Sequence, residues 1–354
     1  MKHRELFRAC GLPVFQNKMF ADRAAALACP KGDITLVQDM DTGLIFNATF
    51  DASLLEYDAN YQNEQACSGV FQQHLEGVKA IIQRYFFGKS LIEVGCGKGY
   101  FLEYLQQAGY EITGIDPAYE GSNPKVIAAH FEPGLGLSAE GIVLRHVLEH
   151  ISDPFMFLSA IAQANGGKGR IYIEVPCFDW ICEHRAWFDI FYEHVNYFRL
   201  ADFQSMFGKV YESGHLFGGQ YLYVVADLAA LQKPALGQRD RFVFPADFLS
   251  DISRVAAAAK GKRNAIWGGA SKGVIFALYM QRAGVDIDFV IDINPAKQGR
   301  FMAGSGLGIS SPEEGLKALR AGDDIFVINS NYLQEIIALS NNQFNCIQVD
   351  HREL

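Results

Sequence analysis

The segment Glu93–Tyr100, which reads Glu-Val-Gly-Cys-Gly-Lys-Gly-Tyr, carries the clearest chemical signal in the chain. Its alternate glycines follow an apolar stretch and precede a helical one, so the backbone can turn sharply and approach a ligand closely. The next apolar stretch ends at Asp116, whose carboxylate is suited to accept hydrogen bonds from both hydroxyl groups of a ribose. Because ligands of open α/β sheets bind at the carboxyl ends of the strands, these features predict a site for a nucleoside-type cofactor.

The spacing of this loop differs from that of dinucleotide enzymes, which favour Gly-x-Gly-x-x-Gly facing a pyrophosphate. The form Glu-x-Gly-x-Gly-x-Gly resembles motif I of class I methyltransferases, and Asp116 matches their ribose-binding acid. This resemblance implies S-adenosyl-L-methionine as the cofactor. The alternative is an ordinary turn between a strand and a helix.

The same resemblance extends to two later segments. Phe131 falls where class I methyltransferases line the adenine pocket, although a surface turn is the alternative. The segment Leu144–His150 falls under the methionine part of the cofactor, and for His150 we favour a cofactor or structural role over a chemical one. The predicted cofactor-binding residues are Glu93, Gly95, Gly97, Gly99, Asp116, Phe131 and His146.

A second cluster, residues 188–198, packs acids, bases and aromatic rings into one short stretch after the fifth predicted strand. Imidazole titrates near neutral pH, so His194 is a candidate for removing a proton from a substrate. Glu193 is placed to orient His194 or to contact the substrate. The alternative is a packed aromatic loop in which the polar groups only satisfy one another.

A second glycine loop, Trp267–Gly273, also follows a predicted strand and opens a predicted helix. Its amides and Lys272 could receive a diphosphate, with Lys297 and Arg300 adding positive charge. It is not a P-loop, because Gly-x-x-x-x-Gly-Lys-Ser/Thr is absent. The alternative is a tight turn in a purely architectural domain.

These loops lie between strands and helices that alternate along the chain, which is typical of a parallel α/β sheet. We predict an α/β protein with a class I (Rossmann-like) methyltransferase sheet, a second C-terminal Rossmann-like α/β domain and a small irregular N-terminal domain. Within the irregular stretch, residues 34–37 and 44–46 are compatible with a hairpin. The expected domains are residues 1–69, 70–246 and 247–354, with 228–246 as a connector.

Composition narrows the class of protein. A chain of 354 residues exceeds the roughly 250–300 residues of a single core, so more than one domain is expected. The formal net charge of −9 argues against a nucleic-acid partner. The start of the chain lacks a secretory h-region, and no run of about 18 apolar residues predicts a membrane helix. Seven scattered cysteines read as reduced thiols, so a cytoplasmic enzyme of unspecified oligomeric state is expected.

The chain as a whole resembles the nucleotide-sugar C-methyltransferases of deoxysugar pathways. The middle motifs are EVGCGKG, RHVLEHISDP and YEHVNYF. The C-terminal motifs are GASKG, Asp292–Arg300, and Asn331-Tyr332 with Glu335-Ile336, and the N-terminal ones are CGLPVFQNKMF and LVQDMDTGLIFN. The last two resemble a small zinc-binding domain.

The resemblance implies methylation of a carbon next to a ketone. In that family a base removes the proton α to the C4 keto group of a nucleotide-linked hexose, and the enolate attacks the sulfonium methyl in line. His194 matches the proposed base, and the substrate is expected to be a nucleotide-activated sugar. The predicted catalytic residues are His194, Glu193 and Tyr192, and the predicted substrate-binding residues are Phe191, Asn196, Lys272, Lys297 and Arg300.

Two departures from the family pattern affect these expectations. The family has four cysteines in two CxxC pairs near the N-terminus, whereas here only Cys10 is present, and Phe7, Asp39 and Thr42 occupy the other positions. Because structural zinc needs a complete ligand set, no metal site is predicted, and apolar packing has to hold this domain. The family often has Tyr-His-Glu-His where this chain has Phe-Tyr-Glu-His, so the hydroxyl at Phe191 is lost or shifted by one residue.

Three other functions remain open. One is a methyltransferase of the same build that acts on oxygen or nitrogen of another small metabolite. Another is an NAD-dependent oxidoreductase that uses the 268–273 loop, with Asp292 about 20 residues further on. The last is a regulator that binds S-adenosylmethionine without catalysis.

Overall fold

The computed structural model describes residues 2–55, 67–237 and 240–350, which form three β-sheets. Three predictions extend beyond this range: the N-terminal domain includes 56–66, the connector includes 238–239, and the C-terminal domain includes 351–354. The parts of those predictions that fall on these residues lie outside the described structure.

The N-terminal sheet has the order β1-β2-β3-β9. Its strands are β1 (His3–Pro13), β2 (Lys31–Asp39), β3 (Ile45–Asn47) and β9 (Asn196–Tyr197), and the short helix α1 (Arg23–Leu27) lies between the first two. The antiparallel pairing of β2 with β3 confirms the predicted hairpin. The expectation of an otherwise irregular stretch is wrong, because β1 pairs with β2 along its length. Two register shifts interrupt β1 and hide the alternation of apolar residues from the sequence pattern.

Phe7, at one of the positions where the resembled family has a zinc ligand, makes apolar contacts. Its ring lies 5.2 Å from that of Phe244 and 5.4 Å from that of Phe248, between centroids. Asp39, at another such position, accepts hydrogen bonds from the N–H groups of Asp41 and Thr42. Aromatic packing and a turn therefore occupy these two positions.

The middle sheet has the order β10-β11-β8-β7-β4-β5-β6. Its strands are β4 (Leu91–Val94), β5 (Ile112–Ile115), β6 (Val126–Ile127), β7 (Gly141–Arg145), β8 (Arg170–Pro176), β10 (Val210–Leu216) and β11 (Tyr221–Asp227). The helices are α2 (Gly69–Phe86), α3 (Tyr100–Gln107), α4 (Pro154–Ala164), α5 (Phe178–Glu183) and α6 (Leu200–Met206). The five strands β4 to β8 pair in parallel, which confirms the predicted sheet, whereas the hairpin of β10 and β11 was not predicted.

The apolar pattern of this region explains its layers. All four residues of β4 are buried, as expected for a parallel strand covered on both faces. Helix α2 begins after Ser68, whose hydroxyl accepts the N–H of Val70. Its buried face, with Leu75, Val78 and Ile82 at helical spacing, packs in one cluster with residues of the strands.

The C-terminal sheet, with the order β14-β13-β12-β15-β16, is entirely parallel. Its strands are β12 (Asn264–Trp267), β13 (Phe289–Ile291), β14 (Ile309–Ser310), β15 (Asp324–Val327) and β16 (Asn345–Gln348). The helices are α7 (Asp251–Ala259), α8 (Lys272–Arg282), α9 (Pro312–Ala318) and α10 (Leu333–Leu339). In both parallel sheets the chain order reverses beside the first strand, β4 or β12, and ligands bind at such switch points.

The three sheets pack against one another. The N–H of Ser271 donates to the carbonyl of Gln16, and Phe20 forms a β-bridge with Phe301, so the N-terminal region holds the C-terminal domain. One buried cluster contains Leu12, Ile173 and Phe276, one residue from each region. In the described ranges, every helix is too short or too polar to span a lipid bilayer.

Candidate active site

A cavity of about 360 Å³ lies where the carboxyl ends of β4 and β12 face each other. The glycine loop after β4 forms one wall and the loop after β12 forms another. Eight of the residues predicted from the sequence line it: Glu93, Gly95, Gly97, His146, Phe191, His194, Lys272 and Lys297. The structure thus brings the two glycine loops and the histidine segment to one space.

The backbone of the first glycine loop adopts conformations that favour glycine. Gly95, Gly97 and Gly99 have φ values of 74°, 54° and 82°. A Cβ on Gly95 would lie 2.4 Å from Cγ2 of Val147, whereas a Cβ on Gly97 would meet nothing within 4 Å. Gly95 therefore allows close packing, and Gly97 leaves its backbone open to a ligand.

Asp116 holds this loop from the end of β5. Its Oδ2 accepts the Gly97 N–H at 2.8 Å, and its Oδ1 accepts the Ala118 N–H at 2.8 Å. The carboxylate lies beside the cavity and is not part of its wall, so the ribose contact stays a prediction. Gly99 opens α3 and Phe131 is buried, and neither lines the cavity.

Glu93 is a buried acid on the cavity wall. Burial raises the pKa of its carboxyl group to about 7. Among the described residues, none hydrogen-bonds to its Oε2. A buried acceptor in this state suits a ligand that brings a hydrogen-bond donor or a positive charge, which S-adenosylmethionine does, so the residues present fit that cofactor.

His146 lies beneath the loop in a charged network that the sequence did not predict. Its Nε2 is 3.0 Å from Glu174 Oε1, which also contacts Arg145 at 3.1 Å and His74 at 3.0 Å. Burial lowers the pKa of His146, but hydrogen bonds to Glu149 and Glu174 outweigh it and raise the pKa to about 9. The floor of the cavity therefore carries positive charge balanced by a buried carboxylate.

His194 lies on the wall between the two glycine loops. Its ring centroid is 4.0 Å from that of Phe191 and 5.1 Å from that of His150. Burial, together with unfavourable electrostatic interactions with the His150 and His146 rings and with Lys272, holds the pKa of His194 well below its usual value of 6.5. The imidazole is therefore neutral near pH 7, which is the form that accepts a proton.

Glu193 and Tyr192 do not line the cavity, so their catalytic roles, which for Glu193 include orienting His194, stay predictions. Glu193 accepts the Gln16 N–H at 2.8 Å and the Asn17 Nδ2–H at 2.9 Å. The Tyr192 hydroxyl accepts the Asp51 N–H at 2.8 Å. All of these donors belong to the N-terminal domain, so both side chains contact that domain.

Asn196 and Arg300 are also absent from the cavity wall, and their contact with the substrate stays a prediction. The Nδ2 of Asn196 donates to the carbonyls of Leu148 and Ile151, so this buried side chain holds a turn. Arg300 is exposed, because its side chain leaves the turn on the solvent side.

The two predicted lysines line the cavity and are already paired with carboxylates. Lys272 Nζ is 2.9 Å from Asp189 Oδ2, and it also donates to Gln220 at 2.7 Å. Lys297 Nζ is 3.1 Å from Asp292 Oδ2, which also accepts the Gly269 N–H. The first ion pair joins the C-terminal domain to the middle domain across the cleft.

Sequence reasoning missed Asp189 as a partner of Lys272. The residue stood within the 188–198 segment, but the contact depends on packing between domains. The ring of Trp187 stacks on Phe276 of α8, with centroids 5.6 Å apart. This packing places Asp189, two residues further on, beside Lys272 at the start of the same helix. Tyr221 was missed because the strand that carries it was not predicted.

The comparisons with known families match the two halves of this cleft. Residues 70–210 match the methyltransferase domain, and residues 247–345 match the C-methyltransferase C-terminal domain. The C-methyltransferase NovU of Streptomyces niveus is 26% identical over 292 residues, which are 71% of this chain and 68% of that protein. The ubiquinone biosynthesis O-methyltransferase of Idiomarina loihiensis is 27% identical over 121 residues, 29% of this chain and 46% of that protein.

Solved structures align with part of the chain. The PH0226 protein of Pyrococcus horikoshii aligns with 49% of this chain and 99% of its own, at 11% identity and a TM-score of 0.39. A SAM-dependent methyltransferase of Archaeoglobus fulgidus aligns with 45% of this chain and 100% of its own, at 20% identity and a TM-score of 0.33.

Proposed function

Because this chain belongs to the S-adenosylmethionine-dependent methyltransferases and carries a C-methyltransferase C-terminal domain, we propose that it methylates a carbon next to a ketone in a nucleotide-activated sugar. The observation that carries the proposal is the place of His194. A neutral, buried imidazole lies on the wall of a cavity shared by the cofactor loop and the second glycine loop. The domains proposed for this activity are residues 70–246 and 247–354, and the described part of 1–69 contacts both.

The cofactor has a defined place in this proposal. Three groups would hold it: the backbone at Gly97, the carboxylate of Asp116, and the Glu93 oxygen that has no partner among the described residues. S-adenosylmethionine, when bound, supplies an electrophilic methyl group on a sulfonium.

His194 acts as the general base. The C–H bond next to the ketone breaks, its electron pair forms the enolate, and the proton moves to the His194 ring. Positioned proton transfer of this kind contributes about 10²–10⁴-fold to a rate. The positive charge of His146 lies in the same cavity, where it favours the negative charge that develops on the enolate.

The nucleotide is proposed to lie against the second glycine loop. The backbone of residues 268–273 and the side chains of Lys272 and Lys297 face the cavity. A diphosphate there replaces Asp189 as the partner of Lys272, which leaves the sugar directed towards His194. Effective molarity from holding both reactants in one cleft supplies much of the rate.

Methylation of oxygen is the second candidate, and one observation favours it. The wall position next to His194 carries Phe191, which offers no hydroxyl to the substrate, and His194 can also deprotonate an alcohol. The two candidates differ in their product, because a new C–CH₃ group and a new O–CH₃ group have distinct NMR shifts.

The direct test is solvent exchange of the α-proton. The protein is incubated in D₂O with nucleoside-diphosphate 4-keto-6-deoxyhexoses, first with S-adenosylhomocysteine and then with S-adenosylmethionine. We expect deuterium at the α-carbon in the first case and a C-methyl product in the second. His194→Asn should lose both by about 10²-fold or more while still binding S-adenosylhomocysteine, and turnover unchanged in that variant would refute the assignment.

The matched control is His215→Ala. His215 is exposed on β10 and does not line the cavity. This variant should exchange and methylate like the wild type, which separates the loss of one base from a general effect of removing an imidazole.

A further inference from the structure

Three potential metal ligands converge on one wall of the cavity. Glu149, His150 and His194 each offer one ligand atom, and these atoms lie within 4.8 Å of one another. All three residues face the cavity, so an ion from solvent can reach them. The group combines two imidazoles with one carboxylate, which is a donor set that zinc and related divalent metals accept.

The chain holds the two segments that carry these ligands together. Glu149 and His150 belong to the single helical turn Leu148–His150, and His194 precedes β9. The N–H of Val195 donates to the carbonyl of Glu149 at 2.7 Å. His150 Nδ1 is 2.8 Å from the carbonyl of Glu193. The cluster is therefore fixed by backbone contacts on both sides.

Glu149 provides an independent sign of a missing cation. Its side chain is buried, and none of the described residues hydrogen-bonds to its Oε2. The other oxygen, Oε1, is 3.4 Å from His146 Nδ1. A buried carboxylate oxygen without a donor is costly to desolvate, and a bound cation removes that cost.

The two histidines present suitable nitrogens. Because the Glu193 carbonyl can only accept, His150 Nδ1 carries the hydrogen, and Nε2 is left with its lone pair. Such a contact from the distant ring nitrogen to a carbonyl is usual for histidines that bind metals. The ring of His194 contacts the rings of His150, Phe191 and Tyr197, at centroid distances of 5.1, 4.0 and 6.3 Å.

We propose that Glu149, His150 and His194 bind one divalent transition-metal ion, with zinc as the best fit, and that the bound ion blocks methyl transfer. A tetrahedral zinc ion holds its ligand atoms roughly 3–3.5 Å apart, so small side-chain rotations close the site and leave a fourth position facing the cavity. The ion occupies the lone pair that His194 needs as a base. This blocking step rests on the proposed function, whereas the binding step does not.

Metal binding is measured first, on the full chain. Calorimetric titration with zinc should give one equivalent per chain, and cobalt should give the visible absorption of a tetrahedral site. Glu149→Gln and His150→Gln should each weaken binding by about tenfold or more, and His215→Ala should leave it unchanged. Affinity for S-adenosylhomocysteine reports whether each variant is folded.

Inhibition is measured second, through the α-proton exchange in D₂O. Zinc should stop exchange with a midpoint that matches the binding constant, and a chelator should restore it. Binding that is absent, is not one to one, or is indifferent to Glu149→Gln overturns the metal site. If zinc binds one to one but proton exchange is unimpaired, the proposal that the ion blocks His194 is refuted. If no keto sugar is a substrate, the proposed function fails visibly, while the cobalt spectrum and the variants still decide the site.

Discussion

At the scale of single residues, His194 and His146 show how one cavity keeps two imidazoles in different protonation states. Burial, reinforced by positive groups nearby, holds the pKa of His194 well below 6.5. His146 is buried beside Glu149 and Glu174, whose hydrogen bonds raise its pKa to about 9. One ring is therefore kept as a proton acceptor and the other as a cation in the same pocket.

The pH dependence of turnover follows from the lowered pKa of His194. A base works in its deprotonated form, so activity persists as the pH falls through 6.5 and is lost only below the lowered pKa. The acidic limb of kcat/KM, which reports the free enzyme, should thus lie below pH 6.5. An acidic limb at or above pH 6.5, with S-adenosylhomocysteine binding constant over that range, would contradict this assignment.

The ion pair between Lys272 and Asp189 predicts a competition with the substrate. Asp189→Asn removes the carboxylate that neutralises Lys272. We expect tighter binding of a nucleoside diphosphate by about fivefold at low salt, since the lysine is then free for the anion. Asp247→Asn is the control, because Asp247 pairs with Arg185 outside the cavity. Equal dissociation constants for Asp189→Asn and the wild type, measured by calorimetry, would refute the competition.

The sequence predicted residues whose signal is local. Glu93 lies near the end of β4, and Gly95 and Gly97 lie on the loop that joins β4 to α3, so the strand and the helix define where all three point. The side-chain contacts of the segment 191–194 were harder to predict, because Glu193 and Tyr192 accept hydrogen bonds from residues of the N-terminal domain more than 100 positions away in the sequence. A sequence pattern holds no information on that partner.

At the scale of elements, continuous apolar runs made the buried parallel strands predictable. β4, β7 and β15 were read from such runs. β11 was missed although it is a buried apolar run inside the sheet. β1 and β10 were missed because β1 is broken by two register shifts and β10 is only half-buried. Elements that lie at the edge of a sheet leave a weaker pattern than those at its centre.

The glycine loop allows a matched test of backbone shape against ligand approach. Gly97 and Gly88 have φ values of 54° and 70°, and a Cβ on either would meet nothing within 4 Å. Each change to alanine should lower the free energy of unfolding by about 1 kcal/mol. Only Gly97→Ala should also weaken S-adenosylhomocysteine binding, by about tenfold or more, because Gly88 is remote from the cavity. Similar affinities in the two variants would exclude Gly97 from the cofactor site.

At the scale of the whole molecule, the N-terminal region holds together two loops that line the cavity, one from the middle domain and one from the C-terminal domain. It contacts the loop of His194 through Glu193 and the second glycine loop through Gln16. Asn17 accepts a hydrogen bond from the Ser271 hydroxyl and lines the cavity. The position of the base relative to the C-terminal domain therefore depends on a region that supplies no reacting group.

Removing the Glu193 carboxylate should weaken the contact between the N-terminal region and the His194 loop. Glu193→Ala leaves the buried donors of Gln16 and Asn17 without their acceptor, so we expect the free energy of unfolding to fall by about 3 kcal/mol. Urea unfolding measures the loss, and hydrogen exchange at residues 16–17 should rise with it. Glu183→Ala, at an exposed position on α5, should cost less than about 0.5 kcal/mol. Equal losses in the two variants would show that Glu193 does not hold the domain.

The pairing of β9 with β3 limits how such an enzyme can be recombined. Ile45 pairs with Tyr197 and Phe46 with Asn196, so the last strand of the N-terminal sheet is encoded some 150 residues downstream, directly after His194. In a chimaera that takes only residues 1–69 from a relative, β3 comes from the relative, whereas its partner β9 and the segment with His194 come from this chain. A chimaera of two such enzymes therefore has to exchange residues 187–198 together with the N-terminal region. The strands of one sheet have to come from the same protein, although they are far apart in the sequence.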